Sequence, residues 1–399
     1  MNDDLFEFEY VDEIDDIQIA DSQRFGDAVV TSTDWTTETV LSQLHRGNIQ
    51  LSPRFQRRDA WDISRKSKFL ESLFLGLPVP QIVLAEQQGQ RGQFLVLDGK
   101  QRLLTLLQFT GGGTGRNNGF SLRSLDIRKD LRGKSYEDIK ADATCKADVD
   151  AFLNQTIRTV VVRNWPSSEF LFLVFVRLNT GSVALSPQEL RQALLPGEFV
   201  NYVDDKAADS PTLRKLLKTK EPDFRMRDTE LLLRFIAFRF FLNRYRGDLK
   251  KFLDETCRDL NASWENERER IESAVGQFEQ ATDLCFQIFS ERHVARRWIK
   301  ESFQGQFNRA IFDVLVYYFA DQDTREKSRP KKREILDAFK SLCDSSQDFV
   351  DSITSTTKSI GATYTRLRLW GEALDGIVPG ISLPVLDENQ IVVSGRTET

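Results

Sequence analysis

Histidine is almost missing from this chain: His45 and His293 are the only two in 399 residues. That scarcity argues against chemistry needing two or three clustered imidazoles. The four cysteines, Cys145, Cys257, Cys285 and Cys343, stand far apart without a C-x-x-C pair. They read as free thiols of a reducing compartment, not as a disulfide framework or zinc site. No apolar run is long enough to span a bilayer. The N-terminus lacks the basic segment and apolar core of a signal peptide. A cytoplasmic protein with no membrane partner is the expectation.

What is present suits a soluble protein of roughly two domains, with 40% hydrophobic and 29% charged residues. The net charge of −5 hides an asymmetry. Residues 1–21 carry nine acids and no Lys or Arg, so the remaining 51 acids face 55 basic residues, a balance of +4. An acidic, disordered leader over 1–30 is expected, either merely solvated or covering a basic groove.

Along the chain, Asp34 reads as the cap of a short helix toward His45, and Ile49–Leu51 as a short strand. Ser64 reads as the cap of a helix to Leu75, with Phe69, Leu70, Leu73 and Phe74 on one face. Strands are expected at Gln81–Ala85, Phe94–Leu97 and Thr156–Val162, and an apolar helix at Glu169–Leu178. Gly111–Gly115 follows a helix and lacks Gly-Lys-Ser/Thr, so it reads as a helix stop, not a phosphate cradle. Ser186-Pro187-Gln188-Glu189 is a capping box with proline at the first helical position. From Pro222 onward the spacing turns helical over Thr229–Tyr245, Leu249–Leu260, Trp264–Ser290, Gln304–Ala320 and Lys331–Leu342. The abundant phenylalanines there read as helical core. The fold class is therefore α+β: a domain over 31–200, a helical domain over 201–375 and an irregular tail over 376–399.

The most informative element is Asp98-Gly99-Lys100-Gln101-Arg102, between the apolar runs Phe94–Leu97 and Leu103–Phe109. It reads as strand, tight turn and helix start. A helix start carries unpaired N–H groups and the positive end of the macrodipole. Gly99 lets backbone approach closely, and Lys100 and Arg102 add charge, so the junction is an anion site or a simple turn. Upstream, Pro53-Arg54-Phe55-Gln56-Arg57-Arg58 offers arginines that can fork onto phosphate or brace loops.

Four blocks together resemble the N-terminal domain of GmrSD-type restriction enzymes, a family related to the ParB/sulfiredoxin fold. They are Pro53–Arg57 with Trp61, Ser72–Pro80, Val96–Arg102, and Phe175–Gly181 running into Leu185–Arg191. The resemblance implies a ParB-like domain with a small mixed sheet and a nucleotide-binding, NTP-hydrolysing role in bacterial defence against foreign DNA. Of the family's Asp-Gly-Gln-Gln-Arg motif, Asp98, Gly99, Gln101 and Arg102 match, while Lys100 replaces a glutamine. Carried over, Asp98, Gln101 and Arg102 are catalytic candidates, with Asp98 also holding Mg²⁺ or orienting water. Gln56, Arg57, Gly99, Lys100, Arg177 and Asn179 are nucleotide-binding candidates, and a nucleoside triphosphate with Mg²⁺ is the implied cofactor. Arg177 and Asn179 read equally well as a helix end.

Many relatives carry a C-terminal nuclease with an essential histidine. His293 has no second histidine near it, so no HNH-type cut is expected, and cleavage would need a partner nuclease. Arg325–Arg333, six of nine residues basic, offers Arg329, Lys331, Lys332 and Arg333 as DNA-phosphate contacts or as a solvated interhelical loop. Arg296-Arg297 can extend such a path. The competing readings are an NTP-dependent defence protein, a non-enzymatic DNA-binding or adaptor protein and, last, a direct nuclease.

Overall fold

The computed structural model describes residues 28–51, 59–113, 118–167, 170–171, 174, 186–355 and 357–393. Its contacts divide the chain into two units, Ile17–Leu194 and a second built from Leu195–Thr399 with Met1–Asp16. The acidic leader lies almost wholly outside the described residues, as does most of the helix expected at Glu169–Leu178.

The first unit is built on a four-stranded mixed sheet of β1 (Val29–Thr36), β2 (Ile82–Glu86), β3 (Phe94–Asp98) and β4 (Thr156–Arg163), in the order β1-β4-β2-β3. β2 runs parallel to β4, and the outer pairs are antiparallel. β2 and β3 are nearly unbroken apolar runs because both their faces are buried. On one face Ile82, Leu84, Phe94, Val96, Ile157 and Val161 pack against α1 (Thr37–His45), α2 (Ile63–Phe74), α3 (Lys100–Phe109), α4 (Tyr136–Ala141) and α5 (Lys146–Asn154). On the other, Val83, Ala85, Leu95, Leu97 and Val162 meet Leu190 of α6 (Pro187–Leu194).

Local chemistry sets the ends. Thr36 caps α1 by accepting from the Thr39 N–H at 3.1 Å, because Asp34, the expected cap, is still paired with Arg158 in the sheet. Asp62, not Ser64, caps α2 by accepting from the Arg65 N–H at 2.7 Å. Ile49 makes only an isolated bridge to Phe94 in place of a strand. Glu71 of α2, 5% exposed, accepts backbone N–H bonds from Asp126 (3.0 Å), Ile127 (2.7 Å) and Arg128 (2.7 Å). Burial opposes its ionisation, and these donors outweigh burial to hold its carboxyl below the ordinary value. One carboxylate thus fixes a whole loop onto the helix.

The second unit is mainly helical. Its elements are α7 (Glu198–Asp209), α8 (Pro211–Leu217), α9 (Arg227–Phe241), α10 (Leu249–Ala262), α11 (Trp264–His293), the hairpin β5 (Trp298–Ile299) and β6 (Ser302–Phe303), α12 (Arg309–Phe319), α13 (Gln322–Ser328), α14 (Lys332–Ser345), α15 (Gln347–Thr354) and α16 (Ile360–Asp375). Phe235, Phe278, Phe312, Phe319, Phe339, Phe349 and Trp370 are buried. These aromatics form the interior of the unit, in edge-on and tilted pairs such as Phe278–Phe312 and Phe339–Trp370. Within it, Arg234 donates to Asp313 at 2.5 and 3.3 Å, and both are 7% exposed at the side chain.

Two expectations change here, and the expected end of the Trp264–Ser290 helix coincides with a break. The helix expected from Gln304 begins only at Arg309, where Asn308 accepts from the Ile311 N–H. α11 is interrupted at Ser290, whose φ of 64° and ψ of 163° break the helical path. Residues 376–399 are not simply irregular: β7 (Pro384–Asp387) and β8 (Gln390–Val393) pair as an antiparallel hairpin. Glu388 and Asn389 both take positive φ in its two-residue turn, as such hairpins require. No helix among the described residues is long and apolar enough to cross a membrane.

Candidate functional site

The site begins with an irregularity in the sheet. Val83 pairs with Asp98 while the next residue, Leu84, pairs with Val96, so Leu97 is the extra residue of a bulge. Bulges re-aim the residues beside them, and here the bulge delivers Asp98 to the turn. Gly99 then takes φ +96°, the left-handed region. A Cβ there would also stand 3.1 Å from Ile82 Cγ1 and 3.4 Å from Ile82 Cα. Both backbone and space therefore demand glycine. α3 starts at Lys100 with no side-chain cap, so its N-terminal N–H groups receive no capping oxygen from Gly99.

The cationic side chains of the turn are buried. Lys100, 7% exposed, places Nζ 2.6 Å from Glu189 Oε1. Glu189 Oε2 accepts the Ser186 N–H at 2.8 Å while Ser186 Oγ accepts the Glu189 N–H at 3.0 Å, completing the expected capping box of α6. Arg102, 8% exposed, donates from Nη2 to Asp98 Oδ2 at 2.9 Å and to the Gln81 carbonyl at 2.8 Å. Its Nε is buried without an acceptor among the described residues. Asp98 Oδ1 takes the Gly99 N–H at 2.7 Å. Gln101 Oε1 accepts the Ala60 N–H at 3.3 Å.

The structure brings together Asp98, Gly99, Lys100, Gln101 and Arg102, and adds Glu189. Gln56, Arg57, Arg177 and Asn179 lie outside the described residues. The stretch Arg54–Arg58 also lies outside the described residues, which resume at Asp59. Asp59 bonds the fully buried Lys66 ammonium, which also donates to Gln108 Oε1 at 2.6 Å, and Gln108 Nε2 donates to Asp59 at 3.2 Å. A lysine inside α2 gave no sequence cue to this role.

Asp98 does not fit a Mg²⁺ ligand set in this arrangement. Its oxygens face a guanidinium and an amide N–H, and no group of three or more His, Cys, Asp or Glu that could hold a metal occurs among the described residues.

The basic run in the helical unit is less open than its sequence suggests. Arg325 is 4% exposed and donates to the Phe319 and Ala320 carbonyls. Arg329 Nε donates to Glu326 at 3.3 Å, and Lys331 Nζ to the Ile377 carbonyl at 2.5 Å. Arg333 lies 4.0 Å from Asp337, with its side chain 96% exposed. Lys332 begins α14.

Residues 38–196 match the model of the GmrSD restriction endonuclease N-terminal domain. No curated protein and no solved structure matches the chain.

Proposed function

We propose that this chain, through its GmrSD-type N-terminal domain, serves a restriction-type DNA-defence system by binding a nucleoside triphosphate at the Gly99 turn. The observation that carries this reading is an uncapped helix N-terminus flanked by two buried cations, Lys100 and Arg102. A helix N-terminus favours anions by N–H donation and by its dipole. Lys100 and Arg102 supply charge that a phosphate can share, and each is held by a carboxylate, Glu189 or Asp98. Phosphate oxygens can take the place of those carboxylates without leaving a buried cation uncompensated. Gln56, Arg57, Arg177 and Asn179 are proposed to complete the pocket. Mg²⁺ would arrive bound to the phosphates, as is usual for this ion.

The engagement of Asp98 with Arg102 favours binding over turnover as the resting behaviour. For turnover, Arg102 would stabilise charge on the transferring phosphoryl group, while Asp98 and Gln101 would orient water. Phosphate release from ATP, GTP and CTP, each with and without duplex DNA, tests the division. DNA-stimulated release lost in Asp98→Ala and Arg102→Ala supports an NTP-dependent sensor. Binding without release supports a switch or adaptor that acts with a partner nuclease. Release at the wild-type rate in both variants overturns these catalytic roles.

A further inference from the structure

A second concentration of charge lies wholly within the helical unit, where α11 ends. The break at Ser290 and the left-handed Ala295 (φ 54°) carry the chain out of the helix and into the β5–β6 hairpin. The path is held by backbone bonds, Asn308 N–H to the Ala295 carbonyl at 2.8 Å and Gln304 N–H to the Arg297 carbonyl at 2.9 Å. The hairpin turn, Lys300–Glu301, is left-handed at both positions. This geometry sets Arg292, His293, Arg296 and Arg297 beside the hairpin aromatics. His293 stacks on Phe303 with ring centres 4.8 Å apart and planes at 16°. Phe303 meets Trp298 edge-on, and Lys340 of α14 sits 4.4 Å above the Trp298 ring.

The cations here lack counter-charges. Among the described residues, no carboxylate pairs with, and no acceptor bonds, the side chains of Lys218, Arg292, Arg296 or Arg297. Arg296 is 8% exposed, and the Nε atoms of Arg296 and Arg297 are buried without a partner. Of the nearby acids, Glu291 pairs with Lys215 at 2.9 Å, Asp344 accepts from Trp298 Nε1 at 3.1 Å, and Glu301 is exposed in the hairpin turn. Burial and then the charges of Arg292, Arg296, Lys340 and Lys218 hold His293 below its ordinary pKa, while burial and Arg292 also depress Arg296. Holding like charges together without acids costs stability, and a polyanion removes that cost.

We propose that Lys218, Arg292, Arg296, Arg297 and Lys340 form a binding surface for the phosphate backbone of nucleic acid, with His293 at its centre. The cations come from three places, the end of α8, the last turn of α11 with the loop after it, and α14. Such a spread suits successive phosphates of a strand better than one enclosed group. The aromatic rings are partly buried and packed against one another, so the surface grips the backbone and does not read bases. This is independent of the Gly99 turn and of the Arg329–Arg333 run.

The test measures binding of the full chain to a fluorescent 20-bp DNA duplex over a KCl series, with inorganic phosphate as a separate titrant. Arg292→Glu and Lys218→Glu alter exposed side chains and leave the core intact. The double variant is expected to bind at least tenfold more weakly, with a log–log salt slope shallower by about two contacts at ~0.9 each. Lys251→Glu, on the exposed side of α10, is the control and keeps wild-type affinity. NMR titration of His293 gives a second readout: on adding duplex, its pKa rises from the lowered value. Unchanged duplex affinity in the double variant, or an unmoved His293, overturns the proposal. Binding of inorganic phosphate through these residues without duplex binding overturns the assignment to nucleic acid.

Discussion

Lys100 and Glu189, 89 positions apart in the chain, meet at 2.6 Å with both side chains buried. The contact ties the first residue of α3 to the first turn of α6. It also places a carboxylate where the proposed triphosphate needs to be. Glu189→Gln keeps a capping acceptor but removes the carboxylate charge that faces the buried Lys100 ammonium. Breaking a buried pair by removing one partner costs about 3–5 kcal/mol. We expect the variant to melt earlier than wild type without ligand, and to gain more from added Mg·NTP, since the competing carboxylate is gone. Thermal shift with and without nucleotide checks both halves.

Gly99→Ala is expected to fail at the turn itself. A left-handed alanine costs about 1–2 kcal/mol, and its Cβ would also press on Ile82 at 3.1 Å. Urea denaturation will show the lost stability. Nucleotide affinity measured well below the transition will fall as α3's N-terminus is displaced.

Glu71 predicts a pH dependence. Its folded pKa lies below the ordinary carboxylate value. Its stabilisation is therefore complete above the unfolded pKa, near 4.5, and disappears as pH falls through the lower folded pKa. Glu71→Gln removes this dependence, flattening the acid limb of the stability curve. At neutral pH it costs about 1.5–3 kcal/mol, the scale of a hydrogen bond to a charged group. Chemical denaturation at pH 3 to 7 reads both effects.

In the helical unit, Asp313→Asn leaves Arg234 without its full counter-charge. Arg366 and Arg309 are already pushed down to about 10, by burial first and against the attraction of Asp313. The variant is expected to lose about 3–5 kcal/mol. Asp337→Asn, facing the exposed Arg333 at 4.0 Å, should lose less than 1 kcal/mol. Comparing their melting curves checks the contrast.

The parts legible in the sequence are those governed by local rules. β2 and β3 announced themselves as unbroken apolar runs, the strand–turn–helix at Asp98–Arg102 by its glycine, and α6 by its capping box. Long-range pairing decided the rest. Asp34 is a good cap by type, yet the sheet claims it, and Thr36 caps instead. The β7–β8 hairpin was hidden by Gly380 and Pro384, although Asn389 between two apolar stretches was a usable turn signal. Nothing local links Lys100 to Glu189 or Lys66 to Asp59, because such partners are chosen by the closure of the fold. The same holds for the cations whose charges act on His293, gathered near the break of the helix at Ser290.

Calorimetric titration of the folded full chain with Mg²⁺ and each of ATP, GTP, CTP and UTP tests the central claim most directly. At least one nucleotide should bind with measurable heat, and Arg102→Ala should weaken it at least tenfold while the chain remains folded. If no triphosphate binds, or if Arg102→Ala binds as well as wild type, the cationic turn at Gly99 is not a nucleotide site.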